Sequence, residues 1–246
     1  MDIYSDILQA KNRKQRLLAI LIDPDKIDWQ NLGDMMRQIQ DSPATHILVG
    51  GSYVSSSRLN ELILNLKSTC ELPVILFPGN PSQISPEADG ILFLSLLSGR
   101  NPDFLIGHHI EAAPILAKTN LEIIPTGYIL IESGSETAVA RVSQTEPLAL
   151  NSPRLIVDTA LAGQMLGNKL IYLEAGSGAK NAVPEEIIQM VSENIQIPLI
   201  VGGGIRNFAG IEAAYSVGAA MVVIGTAFEN DNTFFVKSGH NKPADA

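Results

Sequence analysis

Short apolar runs recur along this chain, each followed by a polar or glycine-rich break and then by a stretch with helical spacing. They cover residues 17–22, 46–51, 73–77, 90–95, 123–131, 170–175, 198–204 and 221–226. The runs are nearly continuous rather than alternating, which is the pattern of strands buried on both faces of a parallel sheet. Between them the spacing predicts helices over 29–40, 59–66, 104–117, 184–194 and 208–217. In the first of these, Leu32, Met35, Met36 and Ile39 share one face. Pro184 with Glu185 and Glu186 behind it suits a helical first turn. Residues 132–164 exceed an ordinary crossover and are predicted to carry two short helices.

Strand and helix alternate throughout, so the class is α/β. Eight strands in 246 residues favour one closed (β/α)8 barrel domain spanning 1–246, with an open doubly wound sheet as the alternative. Composition sharpens this picture in two ways. A formal charge of −9 argues against a nucleic-acid surface, which needs clustered Lys and Arg. Any anionic ligand must then be held by local devices. The single cysteine, Cys70, cannot form an internal disulfide and is expected to be a small core hydrophobe in a reducing compartment. With no signal-peptide pattern and no apolar run of membrane-spanning length, the expectation is a soluble, cytoplasmic protein.

In such barrels the chemistry sits where strands end, at their C-terminal side. The first run ends in DPDK (Asp23 to Lys26), the second in GGS (Gly50 to Ser52) and the third in PGN (Pro78 to Asn80). The sixth ends in EAGSG (Glu174 to Gly178), the seventh in GGGIR (Gly202 to Arg206) and the eighth in GT (Gly225, Thr226). Glycines admit a ligand close to the backbone, and their N–H groups attract an anion without needing lysine. The loops after strands seven and eight are a frequent phosphate cradle in this fold. One glycine would suit a tight turn equally well; three in succession paired with GT point to phosphate. Glu174 then stands beside that phosphate with room for a substrate, either as a general base or as an acceptor of loop N–H bonds. Asp23 reads equally as an oxygen ligand for Mg²⁺, with the Ser52 hydroxyl nearby, or as a turn-former with Pro24. Lys26 is more readily solvated than phosphate-bound. His108 and His109, adjacent on a helix, are expected to lie on an exposed or half-buried surface rather than to face one site together.

Taken together, the motifs resemble the geranylgeranylglyceryl phosphate synthases and their heptaprenylglyceryl relatives. The resemblance rests on LIDPDK (Leu21 to Lys26), ILVGGS, TGYIL, YLEAGSG, VGGGIR and VIGTAFE, and it covers nearly the whole chain. It implies a (β/α)8 barrel with one modified helical layer, a homo-oligomer, and transfer of a polyprenyl group from its diphosphate to the C3 hydroxyl of sn-glycerol 1-phosphate. It implies Mg²⁺ on Asp23 and Ser52. It also implies a glycerol phosphate site drawn from Tyr172, Leu173, Glu174, Ala175, Gly176, Ser177, Gly178, Gly203, Gly204, Gly225 and Thr226. Glu174 would take the hydroxyl proton, and Tyr128 would floor an apolar prenyl groove. The product would be delivered to a membrane that the enzyme itself does not span. YLEAGSG and FPGN place the chain in the twenty-carbon subgroup. One departure stands out: some relatives carry a lysine where this chain has Leu21, so Lys26, Arg206 or the backbone must serve the phosphate instead.

Two rivals fit parts of the pattern. A sugar-phosphate isomerase or lyase would use Asp23 and Glu174 as an acid/base pair without metal. A catalytically dead phosphate sensor would keep the glycine loops, but the polar residues at the strand ends argue against it.

Overall fold

The computed structural model describes residues 2–51, 56–231 and 233–237. Eight parallel strands close into a barrel in sequence order, β1 pairing with both β2 and β8. They are β1 (Leu17–Ile22), β2 (His46–Val49), β3 (Val74–Leu76), β4 (Gly90–Leu96), β5 (Glu122–Leu130), β6 (Leu170–Glu174), β7 (Leu199–Gly202) and β8 (Met221–Ile224). Every apolar run is therefore a strand, and the open-sheet alternative falls away. The glycine ends of the second, seventh and eighth runs leave the ladder: β2 stops before Gly50, β7 before Gly203 and β8 before Gly225.

The helices around the barrel are α2 (Leu32–Gln40), α3 (Ser56–Thr69), α4 (His108–Leu116), α5 (Ala138–Ser143), α6 (Pro153–Met165), α7 (Glu185–Asn194) and α8 (Phe208–Ser216). The long segment after β5 does hold two helices, but α6 runs for 13 residues and is not short. Ahead of α4, residues 103–107 form a wide π turn in which the His108 N–H bonds to the Asp103 carbonyl. Sequence periodicity missed three helices: α1 (Ile3–Asn12) before the barrel, and α9 (Thr226–Asn230) and α10 (Phe234–Lys237) after it.

Inward and outward positions alternate along each strand, so two cores form. One lies between barrel and helices and contains Ile20, Ile47, Ile171, Leu173 and Val201. The other fills the barrel with Leu48, Ile75, Ile124, Tyr128, Tyr172 and Ile200, and α1 adds Ile3, Ile7 and Ala10 to it. That helix closes the N-terminal end of the barrel. It is held there by Glu122 at the start of β5, whose carboxylate accepts the N–H groups of Ile3 and Tyr4. An acid at a helix N-terminus meets otherwise unpartnered amides and the positive end of the dipole.

Around the sheet the pairing is uneven. β4 and β5 match over seven registered pairs, whereas β3 meets β4 only at Ile75↔Gly90 and Leu76↔Ile91. Above that point β4 has no β3 neighbour, and Phe93, Leu94 and Ser95 are half-buried rather than buried. This gap leads from the barrel mouth to the space beneath α4.

Candidate active site

A cavity of about 480 Å³ opens at the C-terminal mouth and runs through the gap between β3 and β4. Its inner end is polar, bounded by Asp23, Lys26, Glu174, Ser177 and Thr226. Its outer limb is apolar, bounded by Ile84, Phe93, Leu94, Phe104 and Ala112. Val139 and Val142 of α5 border the mouth.

Glu174 is the last residue of β6 and points inward by the same parity as Leu170 and Tyr172. Its carboxylate is 5% exposed, and burial raises its pKa to about 7 against the opposing pull of the Gly176 N–H, which donates to Oε1 at 2.6 Å. Glu174 thus accepts a loop amide, as one of its two sequence readings has it, and it also lines the cavity. The Tyr172 hydroxyl is close enough to favour the ionised carboxylate, but it is buried and lacks the geometry of a formed hydrogen bond. A donor is thus left over beside the acid. Tyr172 stacks against Tyr128 at 5.4 Å and Phe77 at 5.5 Å, an aromatic floor beneath the carboxylate.

Gly203 shows why a side chain is absent here. Its φ is +80°, and a Cβ would overlap Glu174 Oε1 while lying 2.6 Å from the Gly176 nitrogen. Any other residue would push the carboxylate out of place. Among the described residues, the amides of Ser177, Gly178 and Gly204 have no hydrogen-bond acceptor. These are the donors that an oxyanion would meet.

Opposite Glu174, Asp23 follows β1 and is 7% exposed. Its Oδ1 accepts the Asp25 N–H at 3.1 Å, so it does form the turn expected with Pro24. Its Oδ2 meets the Lys26 ammonium at 3.2 Å. Gly51 makes room for this carboxylate, since a Cβ there would lie 2.5 Å from Oδ2. Ser52 lies outside the described residues. Among the described residues, no cluster of three His, Cys, Asp or Glu side chains suits a metal. The Asp23 carboxylate at the end of β1 suits the sparse protein ligation that Mg²⁺ takes when water and substrate phosphate complete its shell.

Of the remaining expected site residues, Gly176, Gly178, Gly204, Gly225 and Thr226 border the cavity. Leu173 and Ala175 do not: they face outward into the layer between barrel and helices. Cys70 is half-buried and packs against the outer core. The histidine expectation is corrected: His108 and His109 open α4 directly after the π turn and, with Phe104, border the same cavity, which is wide enough to meet two adjacent positions. His109 is buried, bonds Ser95 through Nε2 at 3.1 Å and meets Phe93 edge-on at 4.3 Å. Burial holds it below the usual imidazole value, so it is neutral at pH 7. Glu229 was also missed. It accepts the Asp23 N–H at 3.1 Å from α9, and its position in VIGTAFE, the one acid directly after the eighth strand, was the available signal.

A model of the PcrB family matches residues 10–239. The geranylgeranylglyceryl phosphate synthase of Flavobacterium johnsoniae is 64% identical over 95% of this chain and 96% of its own length. The Korarchaeum cryptofilum protein of the same name is 40% identical over 90% of this chain and 92% of its own. A crystal structure of (S)-3-O-geranylgeranylglyceryl phosphate synthase from Thermoplasma acidophilum, in complex with sn-glycerol-1-phosphate, matches with a TM-score of 0.89. It is 34% identical, over 96% of this chain and 95% of that one. Since the family model and these relatives cover the strand-end motifs as well as the barrel, the chain belongs to the PcrB family.

Proposed function

We propose that this protein transfers a geranylgeranyl group from geranylgeranyl diphosphate to the C3 hydroxyl of sn-glycerol 1-phosphate. The observation that carries the reading is the two-ended cavity. Its polar end joins a buried carboxylate to free main-chain amides, and its apolar end passes out between β3 and β4. An anionic alcohol suits the first end and a polyprenyl chain the second.

In this reading the phosphate rests on the amides of Ser177, Gly178 and Gly204, and the Tyr172 hydroxyl and Glu174 orient the glycerol. The C3 oxygen forms a bond to C1 of the prenyl group as the C1–O bond to diphosphate breaks. Diphosphate leaves with the bonding electrons, and the hydroxyl proton passes to Glu174. A carboxyl with a pKa of about 7 is partly ionised at neutral pH and able to accept it. Leu94, Phe93 and the neutral His109 keep the apolar limb free of charge around a developing carbocation. Asp23 and Ser52 would hold Mg²⁺, which when bound neutralises the diphosphate leaving group.

No helix among the described residues is long and apolar enough to cross a membrane, which fits a cytoplasmic enzyme handing its product to a bilayer. Ile106, Ile110, Met165 and Leu166 are large, apolar and exposed, which supports a homo-oligomer. The deciding experiment supplies purified protein with Mg²⁺, labelled sn-glycerol 1-phosphate and prenyl diphosphates of fifteen, twenty and thirty-five carbons. The expected result is an ether product with stoichiometric diphosphate, fastest for twenty carbons. No ether with any of the three would sink the reading.

A further inference from the structure

We propose that Lys26 is the side-chain cation of the glycerol phosphate site, parked between Asp23 and Glu229 until the ligand draws it across. The inference rests on the function proposed above and adds to it a residue that couples the two substrates.

Lys26 sits in the turn after β1 with its ammonium at a meeting point. It is 3.2 Å from Asp23 Oδ2, 3.8 Å from Glu229 Oε2 and 3.4 Å from Ser177 Oγ. Ser177 Oγ is in turn 3.3 Å from Thr226 Oγ1. The same nitrogen thus touches an acidic pair on one side and the hydroxyls of the sixth and eighth strand-end loops on the other. The loop after β6 also carries the amides of Ser177 and Gly178, which have no acceptor among the described residues.

Three features make this more than a solvated lysine. The contacts to Glu229 and Ser177 are long, and the side chain is 48% exposed, so the ammonium is free to shift. The other cation at the cavity, Arg206, is committed elsewhere, its Nη2 donating to the Ala179 carbonyl at 2.7 Å. Position 21, the next inward place on β1, is a leucine bordering the cavity. A phosphate entering this rim meets the carboxylates of Asp23, Glu174 and Glu229, and backbone amides carry no net charge to offset them. Among the described residues, Lys26 is the cation that contacts Ser177.

A linkage follows. While Lys26 neutralises Asp23 it is only half available to phosphate. A divalent cation on Asp23 repels the ammonium and takes over its acceptor, leaving it to the phosphate. Metal and glycerol phosphate should then tighten each other reciprocally.

Calorimetric titration of sn-glycerol 1-phosphate into the wild type, Lys26→Met and Lys26→Arg, each with and without Mg²⁺, tests this. Loss of a charge-assisted contact should weaken binding by about tenfold or more in Lys26→Met, with Lys26→Arg restoring most of it. The KM for glycerol phosphate should rise in parallel, and kcat should change less. Mg²⁺ should tighten glycerol phosphate several-fold in the wild type and not in Lys26→Met. Lys26→Met also strips Asp23 and Glu229, whose side chains are 10% and 8% exposed, of their cation, so its melting temperature should fall while that of Lys26→Arg stays near wild type. Wild-type affinity in Lys26→Met, an equal Mg²⁺ effect in both, or a rise confined to the KM for prenyl diphosphate would each overturn the assignment. If the wild type binds no sn-glycerol 1-phosphate, the substrate reading fails instead. Inorganic phosphate, titrated into the same variants, then shows whether Lys26 serves an anion at all.

Discussion

At the N-terminal end of the barrel, α1 drives Ile3, Ile7 and Ala10 into a core of Leu17, Leu48 and Ile75. At the C-terminal end the same strands run out into Asp23, Phe77 and Glu174 around a cavity. The first end is packed with apolar side chains, and its acid Glu122 is spent on capping a helix. The second holds an ionisable group in a place that disfavours its charge, glycines in conformations other residues avoid, and amides without acceptors. One end adds stability and no chemistry, while the other gives up stability for chemistry. Each substitution below tests that division.

The largest effect should come from Glu174→Gln, which keeps shape and removes the base. Turnover should fall by about 10²–10⁴-fold while sn-glycerol 1-phosphate affinity stays within a few-fold. The same change should stabilise the fold at alkaline pH. The carboxyl titrates near 4.5 when unfolded and at about 7 when folded, so folding favours its protonated form. That contribution is present below the unfolded value and lost as pH rises through the folded one. At pH 8 the glutamine variant should therefore gain up to about 3 kcal/mol, read as several degrees in melting temperature, and little below pH 5. Wild-type kcat/KM should climb as pH rises through 7. An active Glu174→Gln enzyme, or one with no pH-dependent gain, would break the comparison at its catalytic end.

Gly203→Ala comes next. The added methyl overlaps the Glu174 carboxylate at a φ that L-residues resist. Displacing the acid by a fraction of an ångström to about an ångström should cost roughly a hundredfold in kcat/KM. Stability should drop by more than the roughly 1–2 kcal/mol of the left-handed conformation alone, because the methyl also meets the backbone nitrogens of Gly176 at 2.6 Å and Ala175 at 2.8 Å. Kinetics and melting measured on one preparation separate the two effects.

How far the sequence revealed these two ends differs, for physical reasons. The barrel was legible because strands buried on both faces must be largely apolar, and even β5, with Pro125 and Gly127 inside it, keeps apolar residues on either side of them. The phosphate loops were legible because close backbone approach leaves a glycine signature. The end of β4 was not: its residues 93–95 look like any buried strand, and only the shortness of β3 shows that they border a gap. His108 and His109 were expected apart because adjacent helical positions diverge by about 100°, but at the start of α4 both flank one broad cavity, whose width periodicity cannot report. α1 escaped for another reason. Its buried positions, Ile3, Ile7 and Ala10, are few, and the charged residues around them resemble a solvated terminus.

Ile7→Ala probes the packed end. Ile7 is 1% exposed inside the barrel mouth that α1 closes, and its truncation should cost about 2–5 kcal/mol by lost transfer energy and cavity formation. Denaturant melts should show that loss, while kcat and both KM values of the folded enzyme stay near wild type. A large change in kcat without loss of stability would mean that the two ends are coupled through the barrel core.

The smallest effect is expected from Glu122→Ala, which leaves the α1 contacts in place and removes only its anchor. The amides of Ile3 and Tyr4 then face water or nothing, at a cost of about 0.5–2 kcal/mol. Because α1 docks through only Ile3, Ile7 and Ala10, that loss should appear as local opening before global unfolding. Hydrogen exchange in residues 3–12 should speed up while the strand amides of β5 and β6 hold their protection. Uniform loss of protection across the barrel would instead make α1 a part of the cooperative core, and the plugged end would then support the mouth as well as close its own side.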